Sequence, residues 1–310
     1  MLNTKQTLRQ HGIYLAFLAL VIVMGILSPD FLKPTNIMNV LRQTSINGII
    51  AVGMTLVILT GGIDLSVGSV LAFSAVVATS FAHPGDTPLV VPLGMGLLAG
   101  LGVGFANGFL IARYRIAPFI VTLGMMTVAR GTAMVITQGR PVINLSDTYS
   151  QIGGGYACGV PIPVIVFLAV LVLGMFVLRV TTFGRYVYAT GGNELATMIS
   201  GVNTKRILIS VYSITGALTG LAGVVLSSRI TAASPAMGQG YELDAIAAVV
   251  IGGTKLTGGV GSILGTLMGA LIIGVMNNGL DLLDVSSYWQ QIVKGLIIIL
   301  AVLMDRKAAQ

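Results

Sequence analysis

Side chains able to do chemistry are few in this sequence and lie far apart. There are 2 histidines, His11 and His83, and 1 cysteine, Cys158. Both histidines fall near the ends of apolar runs, where an imidazole sits half-wetted at an interface. A lone cysteine supplies neither an intrachain disulfide nor a metal-ligand set. No phosphate-binding loop ending in Gly-Lys-Ser/Thr, no His-Glu-x-x-His and no cysteine pair occurs. The expectation is no catalytic residue, no metal and no cofactor. What remains is a handful of acids and amides at or within apolar stretches. Asp64 and Ser66 lie in a glycine-bearing turn, Asn107 and Asn277 sit inside apolar runs, and Glu242 and Asp244 open a short one. A carboxylate at the boundary of an apolar run is costly unless it is wet or paired. Such residues fit the lining or gate of a path, a helix cap or a docking contact, not bond-making chemistry.

The elements that must carry these residues are set by composition. The chain has 310 residues, of which 55% are hydrophobic and 9% charged, with mean hydropathy +0.94. Soluble domains carry about 25% charged residues, so a water-soluble surface could not be covered here, and lipid is the better solvent. Turn signals divide the sequence into about ten apolar runs. They are 11–27, 38–59, 65–81, 90–111, 118–136, 162–180, 207–226, 243–251, 262–283 and 288–304. The eighth is too short to cross a bilayer and predicts a half-helix buried by protein. Lys5 and Arg9 precede the first run as in a secretory signal, but no small-x-small cleavage site follows, so the run reads as an uncleaved span. The prediction is an all-α polytopic membrane protein, a single membrane domain over 1–310.

The formal net charge is +7. Nucleic-acid binding would gather that charge on one face; here the basic residues stand singly or in pairs between apolar runs. With the N-terminus inside, one side holds Lys5, Arg9, Arg113, Arg115, Arg179, Arg185, Lys205, Arg206, Lys255, Arg306 and Lys307. The other holds Lys33, Arg42, Arg140 and Arg229. The positive-inside rule then puts both termini and the polar loop 181–206 in the cytoplasm.

Three segments stand out. In Gly61-Gly62-Ile63-Asp64-Leu65-Ser66-Val67-Gly68-Ser69 the glycines end one helix, and Asp64 or Ser66 can cap the next. The segment 252–262, GGTKLTGGVGS, echoes it with a two-residue insertion, Gly258-Gly259. Weak internal similarity of this kind occurs in transporters built from repeats. The third lies in the 181–206 loop. Asn193 is an N-cap, Glu194 suits the positive end of a helix, and Gly201 sits at the C′ position. Leu195, Met198 and Ile199 fall at i, i+3 and i+4 and form one apolar stripe. That stripe can lie on lipid headgroups or fill a groove on a partner.

Together these segments resemble the sugar permeases of ABC importers. The resemblance rests on AVGMTLVILTGGIDLSVGS at 51–69, Gly184-Arg185-Tyr186, Gly191-Gly192-Asn193-Glu194, GYELDAIAAVV at 240–250 and Asn277-Asn278-Gly279-Leu280, in that order along nearly the whole chain. It implies a type II ABC importer-like permease fold and import of a monosaccharide. It also implies a homodimer with a second permease copy, a cytoplasmic ATP-binding subunit and a periplasmic sugar-binding protein, all at a bacterial inner membrane. The family's coupling helix carries over to 193–200, with Arg185, Asn193, Glu194, Leu195, Met198 and Ile199 at the contact with the ATPase. Asp64, Ser66, Asn107 and Asn277 become candidates for the translocation path or gate. Glu242 and Asp244 are candidates for docking the binding protein or capping the half-helix. Gly100, Gly102, Gly104, Gly216, Gly220 and Gly223 would let helices move in close contact. Another small sugar, a nucleoside or a signalling furanose fits the same class. A secondary transporter would need paired intramembrane charges; Arg130 and Lys294 look embedded, with no acidic partner evident in the sequence.

Overall fold

The computed structural model describes residues 4–85 and 87–296; the end of the expected tenth span, with Arg306 and Lys307, lies outside them. Its helices are α1 (Thr4–Leu27), α2 (Pro34–Leu59), α3 (Val67–Thr79), α4 (Val90–Tyr114), α5 (Pro118–Thr137), α6 (Asp147–Gly154), α7 (Ile162–Val180), α8 (Thr182–Gly192), α9 (Glu194–Ile199), α10 (Thr204–Ile230), α11 (Tyr241–Ile251) and α12 (Ile263–Leu282). Residues 287–296 are also helical. Among the described residues, 6 helices are long and apolar enough to cross a membrane: α2, α4, α5, α7, α10 and α12. Proline in the first turn of α2, α5 and α7 fixes where each begins, because its missing N–H is unpaired there anyway.

The buried centre is α2, 83% buried along its apolar window, whereas α5 is only 22% buried and stands at the periphery. Around α2 pack α7, α10, α11 and α12. The tightest helix pair is α4 with α10. Glycines recur every fourth residue along one face of α4, at Gly96, Gly100, Gly104 and Gly108, and Gly216 and Gly220 of α10 meet them. A Cβ on Gly100 would lie 2.9 Å from the Gly220 backbone, and one on Gly104 2.9 Å from the Gly216 Cα. Gly223 meets the Leu71 carbonyl of α3. Gly102, expected in the same seam, faces open space; its position, two residues from Gly100, puts it on the other side of α4. Gly100→Val should therefore lower the detergent-solubilised melting temperature by several degrees, since overpacking costs about 1–3 kcal/mol. Gly102→Val should leave it within a degree or two. Equal shifts would remove the seam's structural role.

Two stretches between the expected apolar runs hold structure of their own. The 138–160 stretch contains α6 and a two-stranded hairpin, β1 (Tyr156–Ala157) with β2 (Val160–Pro161). Cys158 at φ 52° and Gly159 at φ 78° make its turn, both left-handed as a two-residue hairpin of this kind requires. The 181–206 loop contains α8 as well as the expected short helix, α9. The third apolar run gives a helix of 13 residues, α3, shorter than expected. It ends in tighter turns, the Phe81 and Ala82 amides donating to the Ala78 and Thr79 carbonyls, each at 3.1 Å. With α11 at 11 residues, the fold has two half-helices among its described residues where one was expected.

The turns sort to two ends. At one end lie the α2–α3 turn, the α4–α5 turn, α8, α9 and the α11–α12 turn, together with Arg113, Arg115, Lys205 and Lys255. At the other, Val142 pairs with Ala233 across two loops and the Ser146 amide donates to the Ala82 carbonyl at 2.8 Å.

Candidate coupling and translocation site

At the basic end, the two glycine-rich turns that echo each other in sequence touch. The Gly259 amide donates to the Leu59 carbonyl at 2.9 Å. The end of α8 is seated between them: a Cβ on Gly191 would meet the Leu59 carbonyl oxygen and lie 2.6 Å from the Gly259 nitrogen. Gly192 has open space instead. The chain then turns at Asn193, whose Oδ1 accepts from the Ala196 amide at 2.9 Å and caps α9. Gly201 closes the helix at φ 85°. Thr197 faces inward at 7% exposure, while Leu195, Met198 and Ile199 are 62%, 43% and 77% exposed. A six-residue helix thus carries exposed apolar side chains next to a backbone joint that contacts both turns. Arg185 and Glu194 are exposed beside it. A cavity of about 520 Å³ separates α9 from the α2–α3 turn, and Leu195 and Met198 line it together with Gly61, Gly62, Lys205 and Tyr212.

In the α2–α3 turn, Asp64 is 2% exposed. Its Oδ1 accepts from the Ser66 amide at 2.8 Å and the Ser66 hydroxyl at 2.6 Å. Asn107 Nδ2 donates to the same hydroxyl at 3.0 Å, tying the start of α3 to α4. Asp64, not the Ser66 side chain, therefore organises the start of α3. Burial pushes the Asp64 carboxyl above its usual range, and the hydrogen bonds from Ser66 oppose that rise. Asp64→Asn, which keeps the acceptor, should preserve expression and thermal stability. Asp64→Ala should cost about 1 kcal/mol, the size of a lost cap. A loss with Asn as large as with Ala would mean that the charge itself is required.

Toward the other end, α11 brings Asp244 inside. Its exposure is 3%, which removes it from any docking surface in this conformation. Lys294 Nζ approaches both carboxylate oxygens at 3.0 Å. Asn47 Nδ2 and Asn277 Nδ2 reach Oδ2 at 3.4 and 3.3 Å. Lys294 thus has an acidic partner that the sequence did not disclose. Arg130 donates to the Pro235 and Met237 carbonyls. Glu242 is half-buried, its Oε1 accepting from the Gly240 amide at 3.2 Å. Sequence reasoning missed Asn47 and the Lys294 pairing. The available signal was an amide within an apolar run and two opposite charges in separate runs.

Six helices long and apolar enough to cross a membrane, with α2 buried at their centre, define a polytopic membrane protein. Residues 36–302 match the family described as branched-chain amino acid transport system / permease component, and the chain belongs to it. It is 50% identical to the ribose import permease protein RbsC of Bacillus subtilis over 97% of this chain and 94% of that protein. The corresponding protein of Escherichia coli K12 is 48% identical over 98% and 96%. The L-arabinose ABC transporter permease protein AraH of Azospirillum brasilense is 41% identical over 97% and 88%. No solved structure matches the chain. The protein is an integral membrane permease.

Proposed function

We propose that the chain is the membrane-spanning subunit of an ATP-driven importer of a monosaccharide, with ribose as the substrate. The near-full-length identity to ribose permeases carries this reading. The exposed Leu195–Met198–Ile199 face supports it, because a permease that hydrolyses nothing itself needs a contact through which an ATPase can act. In this reading the basic end is cytoplasmic, both termini lie on that side, and about ten helices form a type II importer-like fold. Two copies pair in a bacterial inner membrane. Each docks one ATP-binding subunit through α9, with Arg185 and Glu194 flanking the contact. A periplasmic binding protein delivers sugar at the other end, where Glu242 is the remaining acidic docking candidate. ATP binding and hydrolysis move α9. The joint at Gly191 passes that motion to the α2–α3 and α11–α12 turns, so two packed bundles rock between inward- and outward-facing states. The drive is the difference in contact free energy between those states.

The test is reconstitution. Permease, ATP-binding subunit and ribose-loaded binding protein in liposomes should accumulate ribose only with ATP. The Asp244–Lys294 ion pair favours a second reading, an ion-coupled transporter, since paired intramembrane charges are what such a protein uses. Ribose accumulation driven by an ion gradient without the ATPase would establish that reading instead. A sugar and nucleoside panel on the binding protein separates ribose from another small sugar, a nucleoside or a signalling furanose.

A further inference from the structure

We infer that Asn47, Asn277 and Asp244 form a hydroxyl-recognition subsite for the transported polyol, an inference that rests on the sugar-importer reading above. The argument starts from the amides. A carboxylate oxygen only accepts hydrogen bonds, so an asparagine beside it must turn its NH2 toward it. Asp244 Oδ2 takes Nδ2 of Asn47 and of Asn277. Both amide carbonyl oxygens are thereby aimed away from the carboxylate, and both are buried without a protein partner. Asn47 is 8% exposed, and Thr44, one turn earlier on α2 and 1% exposed, also has an unpartnered hydroxyl. Buried polar atoms are paired in the great majority of cases, because leaving one unpaired forfeits its hydration with nothing in return. Two such amide oxygens, from α2 and α12, beside one carboxylate of α11 call for a partner that brings O–H donors.

The neighbouring amide shows what a purely structural pair looks like here. Asn278 and Asn36 exchange two hydrogen bonds, each 2.9 Å, so that each amide gives its nitrogen and its oxygen to the other. Asn277, one residue away, has no such return partner. The charge balance narrows the ligand further. Lys294 neutralises Asp244, so the site carries no net charge and does not favour an ammonium or a carboxylate. A neutral molecule bearing several hydroxyls satisfies both amide oxygens; an apolar amino-acid side chain satisfies neither. Asn277 and Lys294 are partly exposed. A charged pair open toward lipid would be costly, so this face borders water or protein.

Two measurements test the subsite. In a Cys158→Ser background, Asn277→Cys should react with a small, polar, membrane-impermeant thiol reagent. D-ribose delivered by its binding protein should slow that reaction at least threefold, while the binding protein loaded with no sugar should not. A cysteine that is unreactive, or reactive without protection by ribose, overturns the inference. In the reconstituted complex, Asn47→Leu and Asn277→Leu variants that still insert and co-purify with the ATP-binding subunit should each take up ribose at least tenfold more slowly than the unsubstituted complex. Variants that insert and transport at the unsubstituted rate also overturn it. If an Asn→Leu variant fails to insert, the labelling result decides. If the unsubstituted complex moves no sugar at all, the importer reading fails before the subsite is tested, which keeps the two failures apart.

Discussion

Leu195→Asp should leave the permease inserted in the membrane yet detach it from its ATP-binding subunit and abolish ATP-dependent ribose uptake. Leu195 is 62% exposed on a helix whose other face is buried at Thr197. The substitution therefore removes no internal packing, and the permease itself should keep its stability. The effect falls on whatever covers the stripe. Burying one leucine side chain is worth about 1.5–3 kcal/mol, and a carboxylate forced into the same groove adds an unpaired buried charge. Since about 1.4 kcal/mol is a factor of ten in affinity, the ATP-binding subunit should be lost on purification at concentrations that hold the unsubstituted complex together. If α9 lay on lipid headgroups instead, the ATP-binding subunit would co-purify at full stoichiometry and uptake would fall only slightly. Full partner binding with full uptake would remove α9 from the coupling role.

That helix was legible in the sequence because every part of its signal is local. Asn193, Glu194 and Gly201 mark its ends, and the stripe at i, i+3 and i+4 marks its face. The long spans were legible for a similar reason: a run of apolar residues between turn signals needs no knowledge of its neighbours. Other features depended on distant residues or weaker cues. The polar, glycine-bearing α8 reads as loop, yet Thr181 caps it through the Gly184 amide at 3.1 Å and the bundle supports it. The apolar run continues past α3 to Phe81 and Ala82, where the backbone has already tightened into turns, so hydropathy alone did not mark the helix end. Left-handed residues close α4, α5 and α10 at Arg115, Gln138 and Thr231, where a sequence reader looks for glycine. Thr231 is β-branched, a type that rarely adopts φ 53°.

The site was legible in its members and illegible in its grouping. Asp64, Ser66 and Asn107 are one network, and Asp244 and Asn277 belong to another with Asn47 and Lys294. Asp244 and Asn47 are separated by 197 positions, and no local pattern reports a contact at that range. The short echo between the two glycine turns was similarly ambiguous as sequence. In three dimensions the two turns meet at one end, with the half-helix following the first turn and preceding the second. Their resemblance thus coincides with a shared place at the joint that α8 enters.

That joint sets the second large expectation. Gly191→Ala should reduce ATP-dependent uptake at least tenfold while leaving the ATP-binding subunit attached, and Gly192→Ala should change neither by more than about twofold. The two substitutions are chemically identical and adjacent. Neither glycine has a positive φ, so no backbone conformation is lost in either case, and helix propensity favours alanine in both. They differ only in what an added methyl group meets: the Leu59 carbonyl and the Gly259 amide at position 191, open space at position 192. At position 191 the methyl must separate α8 from both turns, and overpacking of this kind costs about 1–3 kcal/mol, enough for a tenfold loss or more. The Leu195–Met198–Ile199 face is untouched, so docking persists while transmission fails. The readouts are co-purification of the ATP-binding subunit, ATP hydrolysis stimulated by the loaded binding protein, and uptake per ATP hydrolysed. Loss of partner binding with Gly191→Ala would make the joint part of the docking surface. Equal effects of the two substitutions would show that contact with the turns carries no motion, leaving α9 as a dock without a lever.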